Sequence, residues 1–188
     1  MSRESILNRI KQNKPSEVDL PQSVDYGIVY ENSLEQFQTS LKAVAAETFH
    51  FSSQAQFEEH FEELYPDKPM TYSQIKSLQS FESERPHDYR DLDLAIYQSQ
   101  LGVAENGAIF INFQNESQRS QAFLAVNLCL ILKQSDIVDN MHLAYQKLST
   151  MPNYGVFISG PSKTADIEQC LVIGAHGACT LKVIILEN

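Results

Sequence analysis

The feature that most narrows the fold is an apolar run, a small-residue turn and a helix-like stretch near the end of the chain. Residues 154–158 are apolar enough for a buried strand, residues 160–162 form a Gly-Pro-Ser turn, and residues 164–173 are predicted to be helical. A second apolar run follows at residues 181–186. A small-residue turn that leads from a strand into a helix N-terminus is how α/β folds build a ligand crevice. The segment therefore predicts an α/β fold and the place of a site.

The rest of the chain alternates between strand-like and helix-like patterns. Residues 123–132 are almost continuously apolar, as expected for a strand that is buried on both faces. Such alternation favours a mostly parallel sheet that is covered on both faces, with a local antiparallel hairpin or a mixed sheet between residues 92 and 132. The predicted helices are residues 2–11, 34–46, 54–65, 135–150 and 164–173, and the predicted strands are residues 48–51, 70–72, 92–101, 108–113, 123–132, 154–158 and 181–186.

Size and charge limit the functions open to the chain. Its 188 residues, 43% of them hydrophobic, suffice for one domain with a real core. A net charge of -10 repels nucleic-acid phosphates and anionic lipid, so neither nucleic acid nor a membrane is an expected partner. The N-terminus lacks the apolar segment of a signal peptide, and the three cysteines form no CxxC pair, so we expect a soluble cytoplasmic protein with inert thiols.

The N-terminal segment, residues 1–25, is predicted to be separate from the α/β domain at residues 26–188. Ile6, Leu7 and Ile10 share one face of a short amphipathic helix, and a polar stretch with two prolines follows it as a tether. The helix could dock on its own domain, on a sister subunit of a homo-oligomer or on another protein.

Glycines fall almost entirely in two windows, residues 102–107 and 155–177, which we expect to form opposite walls of one crevice. In the first window, Glu105 precedes Asn106 and Gly107 in a small-residue loop. Its carboxylate could be a nucleophile or a general base. The alternative is a hairpin turn with Glu105 in solvent.

The second window contains a candidate anion site. Backbone N–H groups at the predicted helix start, with the side chains of Ser162, Lys163 and Thr164, could hold a phosphate or a carboxylate. Asp166 and Glu168 in the first turn would oppose an anion, and Ser162 and Thr164 could instead be ordinary helix caps. The spacing of a P-loop or of a dinucleotide fingerprint is absent.

Two further residues are candidates for binding or catalysis. His176, followed by Gly177 before the last strand, could transfer a proton or orient a substrate, and a structural role is the alternative. Arg119 lies in a loop after the strand at residues 108–113, where it could clamp an anionic ligand or remain a solvated charge. The histidines show no metal-ligand spacing, so no metal site is predicted.

Together these windows resemble the LUD-domain family of lactate-utilisation proteins. The family segment Gly-Pro-Ser-basic-Thr-Ala-Asp-Ile-Glu is matched at residues 160–168, and the family's His-Gly-Pro is matched by His176-Gly177 with alanine in place of proline. The resemblance implies a Rossmann-like three-layer α/β/α sandwich similar to the sugar-phosphate isomerase and CoA-transferase superfamily. The candidate catalytic residues are Glu105 and His176, and the candidate ligand-binding residues are Gly107, Arg119, Gly160, Ser162, Lys163, Thr164, Asp166 and Gly177.

The resemblance also implies a function. It predicts an accessory subunit that acts beside iron–sulfur proteins in the oxidation of L-lactate to pyruvate and that binds a small anionic ligand. No cofactor is expected in this chain, and iron–sulfur clusters are expected only in its partners. Glu105-Asn106-Gly107 is also similar to the Ser-Glu-Asn-Gly turn of CoA transferases, so the alternative is an independent enzyme that acts on a thioester or a sugar phosphate through Glu105. All these hypotheses place both glycine windows in one cleft at the carboxyl edge of the sheet.

Overall fold

The computed structural model of the chain describes residues 2–16, 18, 27–67, 69–113, 119–148, 154–165, 171–174 and 176–187. The described helices are α1 (Arg3–Gln12), α2 (Ser33–Ala43), α3 (Gln54–Glu59), α4 (Phe61–Leu64), α5 (Gln121–Leu124) and α6 (Met141–Lys147). The described strands are β1 (Glu47–Phe51), β2 (Thr71–Ser73), β3 (Leu94–Gln98), β4 (Leu101–Val103), β5 (Ala108–Asn112), β6 (Asn127–Lys133), β7 (Ile137–Val138), β8 (Gly155–Ile158), β9 (Lys163–Ala165), β10 (Leu171–Ile173) and β11 (Thr180–Leu186).

A parallel sheet of five strands forms the centre of the fold, in the order β1-β11-β6-β3-β2. Thr180 of β11 and Leu94 of β3 both pair with Asn127 of β6, so the amino ends of these three strands are level. Their carboxyl ends therefore meet at the opposite edge. The predicted parallel sheet is confirmed, and its strand order fixes which distant residues become neighbours.

Alternate residues of the central strands enter two separate hydrophobic clusters. Leu128, Leu130 and Leu132 of β6 pack with α2 and α5, whereas Cys129 and Ile131 of the same strand pack with α3 and α4. This alternation follows from the two-residue period of a strand. Both faces of the sheet are covered, which confirms the predicted three-layer sandwich.

A second sheet, in the order β7-β4-β5-β8, lies in the layer that contains α2. β4 and β5 form an antiparallel hairpin with the turn at residues 104–107, which confirms the local hairpin. The opposite face of this sheet packs against α6 through Leu101, Phe110 and Ala144.

Several predicted element boundaries are wrong. The strand predicted at residues 92–101 is interrupted at Ser99, whose hydroxyl donates to the carbonyl of Phe110 at 2.6 Å and whose N–H donates to Ile131 at 2.7 Å. The strand predicted at residues 123–132 begins as helix α5 and continues as β6. The helix predicted at residues 135–150 starts only at Met141, because Asn140 caps it through the N–H of Leu143.

The helix predicted at residues 164–173 is also wrong. β9 and β10 instead form an antiparallel pair in which Thr164 lies opposite Val172 and Lys163 lies opposite Ile173. Thr164, Val172 and Ile173 are β-branched, which favours a strand over a helix. The predicted anion site thus loses the helix N-terminus on which it depended. Asp166 and Glu168 lie outside the described residues.

The N-terminal helix forms as predicted, with Ser2 as its cap. Its apolar residues Ile6, Leu7 and Ile10 are 46%, 42% and 54% exposed. Which surface this apolar face docks on, whether its own domain, a sister subunit or another protein, stays a prediction. Within the described ranges, no helix combines the length and the apolar character needed to cross a membrane.

Candidate functional site

A polar cleft of about 870 Å³ lies at the carboxyl edge of the central sheet. The residues that end four of the parallel strands line it, namely Ser73 of β2, Gln98 of β3, Lys133 of β6 and Leu186 of β11. Ligands of open α/β sheets bind outside the carboxyl ends of the strands. The cleft is therefore the place in the described structure where this fold favours a ligand.

A chain of side-chain hydrogen bonds organises one wall of the cleft. The Gln98 amide nitrogen donates to the Gln54 amide oxygen at 2.8 Å, and the Gln54 nitrogen donates to Glu58 at 2.7 Å. The hydroxyl of Ser77 donates to the other oxygen of Glu58 at 2.5 Å. The hydrogen bonds from Ser77 and Gln54 lower the pKa of Glu58. A carboxylate only accepts hydrogen bonds, so it fixes the orientation of the Gln54 amide.

Charged side chains in the cleft are balanced. Lys76 lies 3.5 Å from Glu82, and Lys133 and Asp136 line the same space. The lining thus contributes two positive and two negative charges, and it presents amides and hydroxyls between them.

Those predicted site residues that the structure describes do not line this cleft. His176 and Gly177 lead into Thr180, and Thr180 is at the amino end of β11. The prediction that both glycine windows lie in one cleft at the carboxyl edge is therefore wrong for the loop that contains His176, because this loop lies at the amino edge. The hypothesis failed because that loop precedes its strand instead of following it.

The two glycine windows nevertheless meet on α2. The hydroxyl of Ser159 donates to the carbonyl of Asn106 at 2.7 Å and joins the windows directly. Gly107 has a φ of +67°, and a Cβ there would lie 3.1 Å from the backbone nitrogen of Leu41. Gly160 has a φ of +80°, and a Cβ there would lie 2.5 Å from the carbonyl oxygen of Val44. At both positions the lack of a side chain lets the backbone of α2, or the residue that caps its C-terminal end, approach closely. A role for these glycines in ligand binding stays a prediction.

The carboxylate of Glu105 holds the start of α6. It accepts a hydrogen bond from the backbone N–H of Met141 at 2.8 Å, and the Glu105 N–H donates to Asp139 at 2.9 Å. A negative side chain is stabilising at a helix N-terminus. Glu105 is exposed in the β4–β5 turn, as the hairpin interpretation predicts, and the contact of its carboxylate with α6 is an addition to that interpretation. Its catalytic role stays a prediction.

The loop that follows β8 contacts the loop that precedes β11. The N–H of Ser162 donates to Ala178 at 2.8 Å, and the N–H of Gly174 donates to Ser162 at 3.0 Å. Gly177 packs beside Ser162, since a Cβ there would lie 3.1 Å from that side chain. The ammonium of Lys163 donates to the carbonyl of Val44 just beyond α2, and Thr164 lies in β9. Ser162 and Gly177 are thus brought together, as a common anion site requires.

The other candidates are placed as follows. His176 is exposed, and its ring makes no hydrogen bond with any part of the chain that the structure describes. The guanidinium of Arg119 lies over the ring of Tyr154, 4.8 Å from its centroid. No group of three or more His, Cys, Asp or Glu residues suited to a metal ion occurs in the described ranges.

A half-buried lysine that the sequence did not predict as a feature lies between the sheet and α4. Lys182 of β11 donates to the carbonyl of Leu64 at 2.9 Å and lies 4.6 Å from the centroid of the Tyr65 ring. Burial raises the pKa of the neighbouring Cys129 to about 12, so its thiol is protonated and unreactive at neutral pH. Cys179 is exposed, and Cys170 lies outside the described residues.

The sequence of the chain is similar to that of known proteins. A family model for the LUD domain matches residues 73–186, which is more than half of the chain. Over 97 residues the chain is 32% identical to lactate utilization protein C of Geobacillus thermodenitrificans, covering 48% of this chain and 40% of that protein. It is 30% identical over 102 residues to the Escherichia coli protein YkgG, covering 50% of this chain and 44% of that protein. The matched segments thus span less than half the length of these relatives.

A solved structure is similar in fold. The crystal structure of a DUF162 family protein from Deinococcus radiodurans superposes with a TM-score of 0.63 at 13% identity. The match covers 85% of this chain and 99% of that one. At this identity the similarity supports the α/β architecture alone.

Proposed function

The chain belongs to the LUD-domain family, and we propose that it is an accessory component of lactate utilisation. In this proposal it acts beside iron–sulfur partner proteins that oxidise L-lactate to pyruvate. The observation that carries the proposal is the family match over residues 73–186 together with the relatives named lactate utilization protein C. In this proposal the iron–sulfur clusters belong to the partner proteins. We expect the partner proteins to co-purify with the tagged chain from cells grown on L-lactate.

We place the small anionic ligand of the proposal at the loops that contain Ser162, Lys163 and Gly177. The support is that the two loops are joined by the bond from the Ser162 N–H to Ala178 and that Gly177 packs on Ser162. Lys163 adds a positive charge to this surface, although its ammonium also contacts the carbonyl of Val44. The loops lie at the amino edge of β11 and are therefore distinct from the carboxyl-edge cleft.

Thermal unfolding with and without L-lactate or pyruvate tests this placement. A ligand at about 100 times its dissociation constant should stabilise the native chain by roughly 2.7 kcal/mol. We expect the Lys163→Gln variant to lose most of this ligand-induced stabilisation, because the substitution removes the positive charge from the proposed anion site. Lys147→Gln, which removes an exposed lysine in the last turn of α6, should keep it. Equal ligand-induced shifts in the two variants would exclude Lys163 from the anion site.

The alternative function is a thioester enzyme with Glu105 as its nucleophile. A carboxylate nucleophile must be free to attack the acyl group. The bond from the Met141 N–H engages one carboxylate oxygen of Glu105 and stabilises the start of α6. This contact favours a structural role for Glu105, and the accessory role remains our conclusion.

A further inference from the structure

The carboxyl-edge cleft is larger than the small acid of the proposed function requires. Clefts of roughly 300–1,000 Å³ hold drug-sized ligands, and this one has about 870 Å³. A three-carbon acid would leave most of the space to water. The size instead suits a ligand of one or two sugar units.

The charge of the cleft argues against a polyanion. Lys76 is 3.5 Å from Glu82, and Lys133 shares the lining with Asp136. The positive and negative charges cancel, and the chain as a whole carries a net charge of -10. A negative protein field repels nucleotides and CoA, which carry several phosphate charges. A neutral ligand meets no such barrier.

The amides of the cleft have a fixed polarity. Because the Gln54 nitrogen must donate to Glu58, the Gln54 oxygen accepts from the Gln98 amide nitrogen. The Gln74 oxygen accepts from the backbone N–H of Gln98 at 2.8 Å. Within the described part of the chain, the amide oxygen of Gln98 and the amide nitrogen of Gln74 make no hydrogen bond. The cleft lining therefore contains one hydrogen-bond acceptor, on Gln98, and one donor, on Gln74.

A hydroxyl group both donates and accepts hydrogen bonds, so it matches such a pair. We propose that the carboxyl-edge cleft binds an uncharged, hydroxyl-rich ligand of one or two sugar units through Gln98 and Gln74. The observations that support it are the size, the charge balance and the amide orientation of the cleft. This inference is independent of the role in lactate utilisation, which depends on the family match and on other loops.

Saturation-transfer NMR on the full chain tests the proposal with D-ribose, D-glucose and maltose as probes, and with ATP and L-lactate for comparison. We expect at least one neutral sugar to receive saturation, with ATP giving none at the same concentration. Gln98→Ala and Gln74→Ala should each weaken the binding of that sugar about 5-fold or more, which corresponds to the loss of a hydrogen bond of about 1 kcal/mol. Gln146→Ala, at an exposed position on α6, is the matched control and should bind the sugar unchanged.

Three results would overturn the inference. One is a panel in which no neutral sugar binds to the wild-type chain. Another is a panel in which ATP receives saturation at the same concentration as a sugar that binds. The third is sugar binding that neither Gln98→Ala nor Gln74→Ala weakens while both variants keep the wild-type thermal unfolding midpoint. None of these results bears on growth with L-lactate, so failure here is distinguishable from failure of the proposed function.

Discussion

Replacing Phe57 with alanine should lower the free energy of unfolding by about 4 kcal/mol, the cost typical of deleting a buried aromatic side chain. Phe57 of α3 is 0% exposed. Its ring lies 5.7 Å from that of Phe51 and 6.1 Å from that of Phe61, and it packs in the cluster with Ile96 and Ile184 of the central sheet. The substitution leaves a cavity under the layer that α3 and α4 form. Urea denaturation followed by far-UV circular dichroism measures the loss.

Phe123→Ala is the matched control, because it deletes the same side chain from a position that is 41% exposed. Its ring contacts Phe113 at a centroid distance of 6.3 Å, so a loss below about 1.5 kcal/mol is expected. Equal losses for the two variants would mean that α3 does not cover the sheet as described.

Gly160→Ala should cost about 3 kcal/mol. Two effects add at this position. The left-handed backbone at φ +80° is unfavourable for a residue with a Cβ by roughly 1–2 kcal/mol. The new Cβ would also lie 2.5 Å from the carbonyl oxygen of Val44, so the backbone beyond α2 must shift, and overpacking of this kind costs about 1–3 kcal/mol. The measurement is the same urea denaturation.

The control for this variant is Gly177→Ala. Its Cβ would lie 3.1 Å from the Ser162 side chain, a tight contact with a group that can move. We expect a loss of less than about 1 kcal/mol, within the range of ordinary substitutions. A Gly160→Ala loss as small as that of Gly177→Ala would show that the loop after β8 does not pack on α2.

The central strands of the parallel sheet could be predicted from the sequence because their apolar runs are long. β6 and β11 each have seven residues, and such runs indicate strands that are buried on both faces. Shorter elements were predicted less well. β9 and β10 have three residues each, and the Gly-Pro-Ser turn before β9 gave the same signal as a helix start.

The carboxyl-edge cleft was not predicted, because strand order creates it. Ser73 and Leu186 are far apart in the chain and line one cleft because both end parallel strands. The sequence signal for it is the polar run Gln98-Ser99-Gln100, which lies within the strand predicted at residues 92–101. The glycine windows are predicted from sequence to form opposite walls of one crevice and to allow close backbone approach to a ligand. The approaching group at Gly107 and Gly160 is α2, which periodicity alone could not identify.

The role in lactate utilisation is tested most directly by growth of the organism that carries this chain. Deletion of its gene, complemented with the wild-type gene as a control, should abolish or strongly slow growth on L-lactate as sole carbon source. Growth on pyruvate should stay at the wild-type rate, since pyruvate is the product of the proposed oxidation. Equal growth of the deletion strain and the complemented strain on both carbon sources would contradict the proposed function.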